Sequence, residues 1–200
     1  MSRPVVLLAS ASAARARLLR DAGVAIATDP ADVDEAAIKA TQRRASAGAL
    51  DCAMALAVAK ARAISARHPD ALVIGGDQIL TCGTEWYDKP ADLAAARNQL
   101  AALRGRAHCL ATAICVCVSG EIVWRSASEP VLTMRDFSDA FLDAYLATEG
   151  EALLSSVGAY RLEGPGAQLF AAVEGDQFAI QGLPLIELLN FLREAGALAR

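Results

Sequence analysis

Ser10, Ser12 and Arg15 stand directly after an apolar run, residues 4–9, at the point where a helical pattern begins. A strand that turns into a helix leaves the first backbone N–H groups unpaired and faces the positive end of the helix dipole. That end favours an anion such as phosphate. The two hydroxyls add donors there, and the Arg15 guanidinium adds a fork matched to phosphate oxygens. The plainer account makes Ser12 an N-cap and Arg15 a surface charge, and capped helices far outnumber phosphate sites. A cation in the first helical turn nevertheless opposes the dipole, which points to an anion nearby.

Asp32-Val33-Asp34-Glu35 places carboxylates at three of four positions, donors suited to a hard cation such as Mg²⁺. A solvated acidic loop explains the same run more simply. In Val73-Ile74-Gly75-Gly76-Asp77-Gln78 an acid follows an apolar strand and a glycine pair. Glycine allows close approach to the backbone, and an acid at a strand end suits a metal ligand or general base. A turn aspartate beside flexible residues is the competing account. Lys60 and Lys89 could each neutralise a polyphosphate, although isolated lysines are mostly surface charges. Glu163 precedes the rigid turn Gly164-Pro165-Gly166, where a carboxylate could bond the edge of a base. His108 and Thr112 share one face of a strand, and an internally bonded core histidine accounts for His108 better than catalysis does.

The elements that must hold these residues follow from period and caps. Residues 4–9 read as a buried strand and Ser12 caps a helix that stops at Gly23. Residues 25–28 suggest a short strand and residues 30–35 an acidic loop. One helix is predicted over residues 42–67, with Leu50, Met54, Ala57, Val58, Ala61 and Ile64 on one stripe and Lys60 at its edge. Residues 71–80 form a strand interrupted by Gly75-Gly76, residues 86–90 a loop, and Asp92 caps the next helix. Residues 108–118 are a strongly apolar strand, turned at Ser119-Gly120 into a strand over 121–134. Ser138 caps a short helix; residues 155–161 read as extended. A short helix to about Val173, a strand near 178–180 and a last helix from Pro184 complete the chain. Early alternation of strand and helix with a central hairpin argues for an α/β fold of α+β character with a cleft between lobes.

Bulk composition narrows the function. At 200 residues, 54% hydrophobic, the chain can bury a sizeable core without staples. Its net charge of -4 disfavours a general nucleic-acid binder. The five cysteines fit no zinc spacing and read as buried, reduced thiols of a cytoplasmic protein. The segment 1–9 is too short for a secretory leader, and no apolar stretch approaches the ~20 residues a membrane helix needs.

Each of these signals is weak; their order is specific. Leu8-Ala9-Ser10-Ala11-Ser12 leading to Arg15, then Asp32-Val33-Asp34-Glu35, Lys60-Ala61 and Ile74-Gly75-Gly76-Asp77-Gln78, resembles the succession of motifs in the Maf-like nucleoside triphosphate pyrophosphatases. Lys89-Pro90, Gly105 with His108 and Thr112, Gly158-Ala159-Tyr160, Glu163-Gly164 and Gly182-Leu183-Pro184-Leu185 extend it over nearly the whole chain. The resemblance implies a single Maf/ITPase-like domain over 1–200, a mixed twisted sheet flanked by helices, with two lobes around a nucleotide cleft. It implies a homodimer, a nucleotide substrate and a divalent cation, Mg²⁺, Mn²⁺ or Co²⁺. The reaction would be hydrolysis between the α- and β-phosphates. Asp77 would be proton acceptor or metal ligand, with Glu35 a second metal ligand, and Ser10, Ser12, Arg15, Lys60 and Lys89 would hold phosphates.

Gln78 and Glu163 resemble the branch that acts on 7-methyl-GTP; the branch that acts on dTTP and UTP usually carries Thr and Gln there. The family usually has Pro and then a large residue after the second serine, where this chain has Ala13 and Ala14. Ala14 offers neither the ring nor the arginine used there to choose a base. The alternatives to a 7-methyl-GTP pyrophosphatase are a dTTP/UTP enzyme of the same family and a nucleotide-binding septation regulator with little turnover. Retention of Glu35 and Asp77 favours the enzyme, since a pure polyanion binder has little use for carboxylates without a metal.

Overall fold

The computed structural model describes residues 3–199; Met1 and Ser2, the start of the segment weighed as a leader, and Arg200 lie outside the described residues. Strand β1 (Val6–Leu8) leads into helix α1 (Ala13–Asp21), β2 (Ile26–Thr28), α2 (Glu35–Arg44) and α3 (Ala49–Ser65). The central strands follow: β3 (Leu72–Cys82), β4 (Glu85–Tyr87), helix α4 (Leu93–Leu103), β5 (Ala107–Val118), β6 (Glu121–Ser128) and β7 (Val131–Met134). Helix α5 (Asp139–Glu149) precedes three 3-10 turns, then β8 (Phe170–Glu174), α6 (Gln177–Ile180) and α7 (Leu185–Glu194) close the chain. The strands form one mixed eight-stranded sheet in the order β2-β1-β3-β5-β7-β8, with β4 beside β3 and β6 beside β5. Pairing is parallel across β2-β1-β3 and antiparallel elsewhere.

Local chemistry fixes most helix starts. Ser12, Asp34, Asp92, Ser138 and Asp176 each accept a backbone N–H from the first turn of the helix that follows. The central strands are apolar on both faces because helices cover both. Val73 packs on Ala57 and Ala61 of α3, whereas Ile74 packs with Leu18 and Leu19 of α1 and Leu188 and Leu192 of α7. Gly75 is where α3 lies closest: a Cβ there would meet the Ala57 carbonyl oxygen at 2.1 Å. Further along, Leu80 enters a separate core with Leu100 and Leu103 of α4 and Leu142 and Tyr145 of α5. The strand pair β3-β5 therefore runs through both lobes.

Several elements differ from the sequence reading. The single helix over 42–67 is two: α2 begins at Glu35 and ends at Arg44, Ser46 takes a positive φ of 55°, and α3 starts after Gly48. Residues 121–134 are two strands divided at Pro130, which lacks a ladder donor. β6 pairs with residues 112–118 of β5, and β7 pairs with residues 107–109. Residues 85–87 pair with β3 instead of forming a plain loop. Ser155 and residues 157–159 lie in 3-10 turns, and extended backbone is confined to single residues such as Ser156 and Tyr160. Near the C-terminus the helix expected to reach about Val173 is a 3-10 turn, Pro165–Leu169, after which β8 occupies residues 170–174 and the helix α6 occupies 177–180. The ladder to β7 decides β8, and the Asp176 cap, bonded to the N–H of Phe178 and Ala179, decides α6.

Candidate active site

The site arises from a gap in strand pairing. On one side β3 pairs with β5 continuously from Val73 to Thr81. On its other side β1 covers only Leu72 to Ile74, and β4 covers only Leu80 to Cys82. The stretch 75–79 therefore opens into a cleft of about 470 Å³. Its walls include Ser10, Ser12, Ala14 and Arg15 at the start of α1, and Glu35 and Lys39 from α2. Lys60, Asp77, Gln78, Asp88, Lys89 and Glu163 join them, so the residues to which the family resemblance assigns a role line one cavity, whereas Asp32, Asp34, His108 and Thr112 do not. Of the acidic run, Glu35 faces the cleft, while Asp34 is committed to capping α2 through the N–H of Ala37 at 2.8 Å.

Arg15 is not a surface charge; its residue is only 8% exposed. Its Nε donates to the Gly182 carbonyl at 2.7 Å, and Nη1 donates to the Gly76 carbonyl at 3.0 Å and to Ser10 Oγ at 3.2 Å. The two glycines leave room for it: a Cβ at either would stand 3.3 Å from Arg15 Nε. Those bonds fix the plane of the guanidinium and leave its Nη2 donors without an acceptor among the described residues. Burial lowers the Arg15 pKa, and the charges of Asp77 and Glu35 oppose that loss. Ser10 Oγ also accepts the N–H of Ser12, and Ser12 Oγ accepts the N–H of Arg15. The turn that presents the helix N-terminus is thus organised by both serines.

Lys60 reaches inward from α3, largely buried, and its ammonium binds two carboxylates. It lies 2.6 Å from Asp77 Oδ1 and 2.7 Å from Glu35 Oε1. Residues far apart in sequence therefore converge on one positively charged point. Asp77 and Glu35 are the oxygen donors that a divalent cation would take here, at the point where the Lys60 ammonium stands in this structure. Among the described residues no cluster of three or more His, Cys, Asp or Glu side chains is arranged to hold a metal by itself.

Gln78 has its amide fixed. Nε2 lies 2.8 Å from Thr112 Oγ1 and 3.0 and 3.1 Å from the Ala179 and Ile180 carbonyls. Those acceptors take the amine end, so the acceptor Oε1 is the end left for the cleft. Glu163 carries a second acceptor, held by Arg17 Nη2 at 2.8 Å. Thr112 serves as a brace for Gln78 and for the Ala179 carbonyl. His108 is a core histidine, 3% exposed, bonded through Nε2 to Tyr160 Oη at 2.8 Å. Burial pushes its pKa down to about 4. Tyr160 in turn lines the cleft.

Lys89 stands exposed at the cleft mouth, where the surrounding protein and then the charges of Arg15 and Lys60 lower its pKa. Lys39, Asp88 and Arg161 also line the cleft without standing in any of the sequence motifs, and Tyr160 stands only in Gly158-Ala159-Tyr160, with no role attached. For Lys39 a signal existed: it follows Glu35 by one helical turn, so both project from one helix face.

Buried and mouth cations around paired carboxylates give this cleft a charge pattern that suits a polyphosphate ester. A family model described as Maf-like protein matches residues 5–195, so the chain belongs to the Maf-like family. It is 52% identical over 195 residues to the nucleoside triphosphate pyrophosphatase of Rhodospirillum rubrum, covering 98% of this chain and 96% of the relative. It is 51% identical over 193 residues to the protein of the same description from Granulibacter bethesdensis, covering 96% and 98%. The 7-methyl-GTP pyrophosphatase of Rhizobium meliloti is 46% identical over 196 residues, covering 98% of each chain.

Proposed function

We propose that this protein hydrolyses a nucleoside triphosphate between its α- and β-phosphates, with 7-methyl-GTP the preferred substrate. The observation that carries the reaction is the convergence of Asp77, Lys60 and Glu35 on one point of a cleft that also presents Arg15. Asp77 accepts a proton from the attacking water as its oxygen bonds to the α-phosphorus. The bond from that phosphorus to the bridging oxygen breaks, and pyrophosphate leaves. Arg15, Lys60 and Lys89 meet its charge, and Ser10 and Ser12 hold the phosphate-facing turn. Phosphoryl chemistry of this type depends on positioning and charge neutralisation more than on covalent help. Glu35 and Asp77 would hold the divalent cation, Mg²⁺, Mn²⁺ or Co²⁺, which would polarise the phosphate and lower the pKa of its water.

The choice of base rests on two acceptors. Gln78 offers Oε1 because its amine is committed elsewhere, and Glu163 offers a carboxylate. Guanine presents donors on its pairing edge, which such acceptors suit. A homodimer in the cytoplasm is the proposed state; light scattering of the purified chain tests the first part.

The experiment is a turnover screen against 7-methyl-GTP, GTP, dTTP, UTP and CTP with each of the three metals and with chelator, identifying monophosphate and pyrophosphate directly. Selective release from 7-methyl-GTP supports the full reading, and release mainly from pyrimidine nucleotides keeps the reaction and overturns the base. No release by folded protein overturns the reaction. Asp77→Asn keeps the carboxylate's shape but cannot take a proton, so kcat should fall by about a hundredfold or more. Unchanged turnover in folded Asp77→Asn protein would remove Asp77 as the base.

A further inference from the structure

We propose that Lys39 is a further cation of the polyphosphate site, held by Asp88 in a bridge that the pyrophosphate group displaces; this rests on the pyrophosphatase reading above. Lys39 and Glu35 lie one helical turn apart on α2 and both line the cleft. Asp88 immediately precedes Lys89 and lines the same cavity. Lys39 Nζ meets Asp88 Oδ1 at 2.5 Å, so the bridge joins α2 to the loop after β4.

The two partners are unequal. The Lys39 side chain is 25% exposed and that of Asp88 is 75% exposed. The Asp88 main chain is anchored, because Gln99 Nε2 donates to its carbonyl at 2.7 Å. Its carboxylate alone can turn into water at small cost, whereas Lys39 would keep facing the cleft. A phosphate oxygen can replace the carboxylate oxygen with a charge-assisted bond of the same kind.

The charge around the cleft points the same way. Lys60 already serves both Asp77 and Glu35. Burial works against the Lys39 ammonium, but its bond to Asp88 and the charges of Asp88, Asp77 and Glu35 outweigh that and raise its pKa. Lys39 therefore stays charged throughout the neutral range. Once Asp88 turns away, Lys39, Lys89 and Arg15 form a surplus of positive charge in the cavity. A polyanion is the ligand chemistry that such a surplus takes, and a monophosphate needs less of it.

The test separates this role from a mere surface brace. Calorimetry would titrate inorganic pyrophosphate with Mg²⁺, and GMP separately, into the full chain and its variants. Lys39→Met should weaken pyrophosphate about tenfold, the loss of one charge-assisted bond, and leave GMP within about twofold. Asp88→Asn should act in the opposite direction and tighten pyrophosphate several-fold, since it removes the competing carboxylate. Combining the two should abolish the tightening, because Asp88 acts through Lys39. Lys39→Arg should retain most of the affinity and guards against a folding defect in Lys39→Met. Unchanged pyrophosphate affinity in Lys39→Met, or weakening by both single variants alike, overturns the proposal. Either result leaves the hydrolytic reaction intact if the wild type still releases pyrophosphate. Failure of the wild type to turn over any nucleotide would overturn that reaction instead, and the pyrophosphate titrations would still decide the role of Lys39.

Discussion

Acidification should destabilise this protein through one residue, His108. Its ring lies between Tyr160 and Phe170, at centroid distances of 5.5 and 6.0 Å, and it is only 3% exposed. Burial disfavours the imidazolium and lowers the pKa to about 4 from an ordinary value of 6.5. Because the folded pKa is the lower one, the unfolded chain takes up the proton first as pH falls. The contribution to stability is complete above about pH 6.5, is lost between 6.5 and 4, and changes no further below that. The gap corresponds to about 3 kcal/mol in all, of which about 2.5 kcal/mol should be gone by pH 4.5. That is a large share of the 5–15 kcal/mol (roughly) that holds a typical domain folded. Urea unfolding from pH 7.5 to 4.5, on wild type and His108→Gln, measures it. Glutamine does not titrate and can still bond Tyr160 Oη, so the variant subtracts the pH dependence of the carboxylates. The wild-type curve should fall more steeply, by about that amount. Parallel curves would refute the assignment of acid sensitivity to His108.

Two further predictions concern packing and base choice. Gly75→Ala puts a Cβ 2.1 Å from the Ala57 carbonyl oxygen and forces α3 away from β3, at a cost of about 1–3 kcal/mol in urea unfolding. Turnover should fall as well, because α3 carries Lys60 to Asp77; a variant of wild-type stability and rate would mean that the helix–strand contact is looser than the structure shows. Ala14→Trp adds a ring at the cleft wall, and the ratio of kcat/KM for 7-methyl-GTP over GTP should rise through stacking on the cationic base, with Glu163→Gln lowering selectivity for guanine-type bases. Unchanged ratios in both variants would remove these positions from base recognition.

Much of this architecture is legible from local signals. The caps at Ser12, Asp92 and Ser138 were readable because a side-chain oxygen satisfies an N–H within a few residues of itself. The apolar strands over residues 4–9, 71–80 and 108–118 were readable because burial on both faces leaves an unbroken apolar run. The break at Ser46 and the exchange of strand and helix near residues 170–180 were not. A single residue of positive φ leaves little trace in an alanine-rich run. The strand β8 exists through its ladder to β7, some forty residues away in sequence.

The site divides in the same way. Residue types and their order along the chain are properties of the sequence, and that order marks Ser10, Arg15, Glu35, Lys60, Asp77 and Lys89 as a set. It could not tell a buried guanidinium from a surface one, because the burial of Arg15 depends on carbonyls at Gly76 and Gly182 far along the chain. Nor could it pair Lys39 with Asp88, or give Gln78 its orientation, which comes from the Ala179 and Ile180 carbonyls. Period and capping act between neighbours in the chain, so composition and spacing record them. Charge pairing, desolvation and the direction of an amide act through space, so they take form only when distant segments pack together.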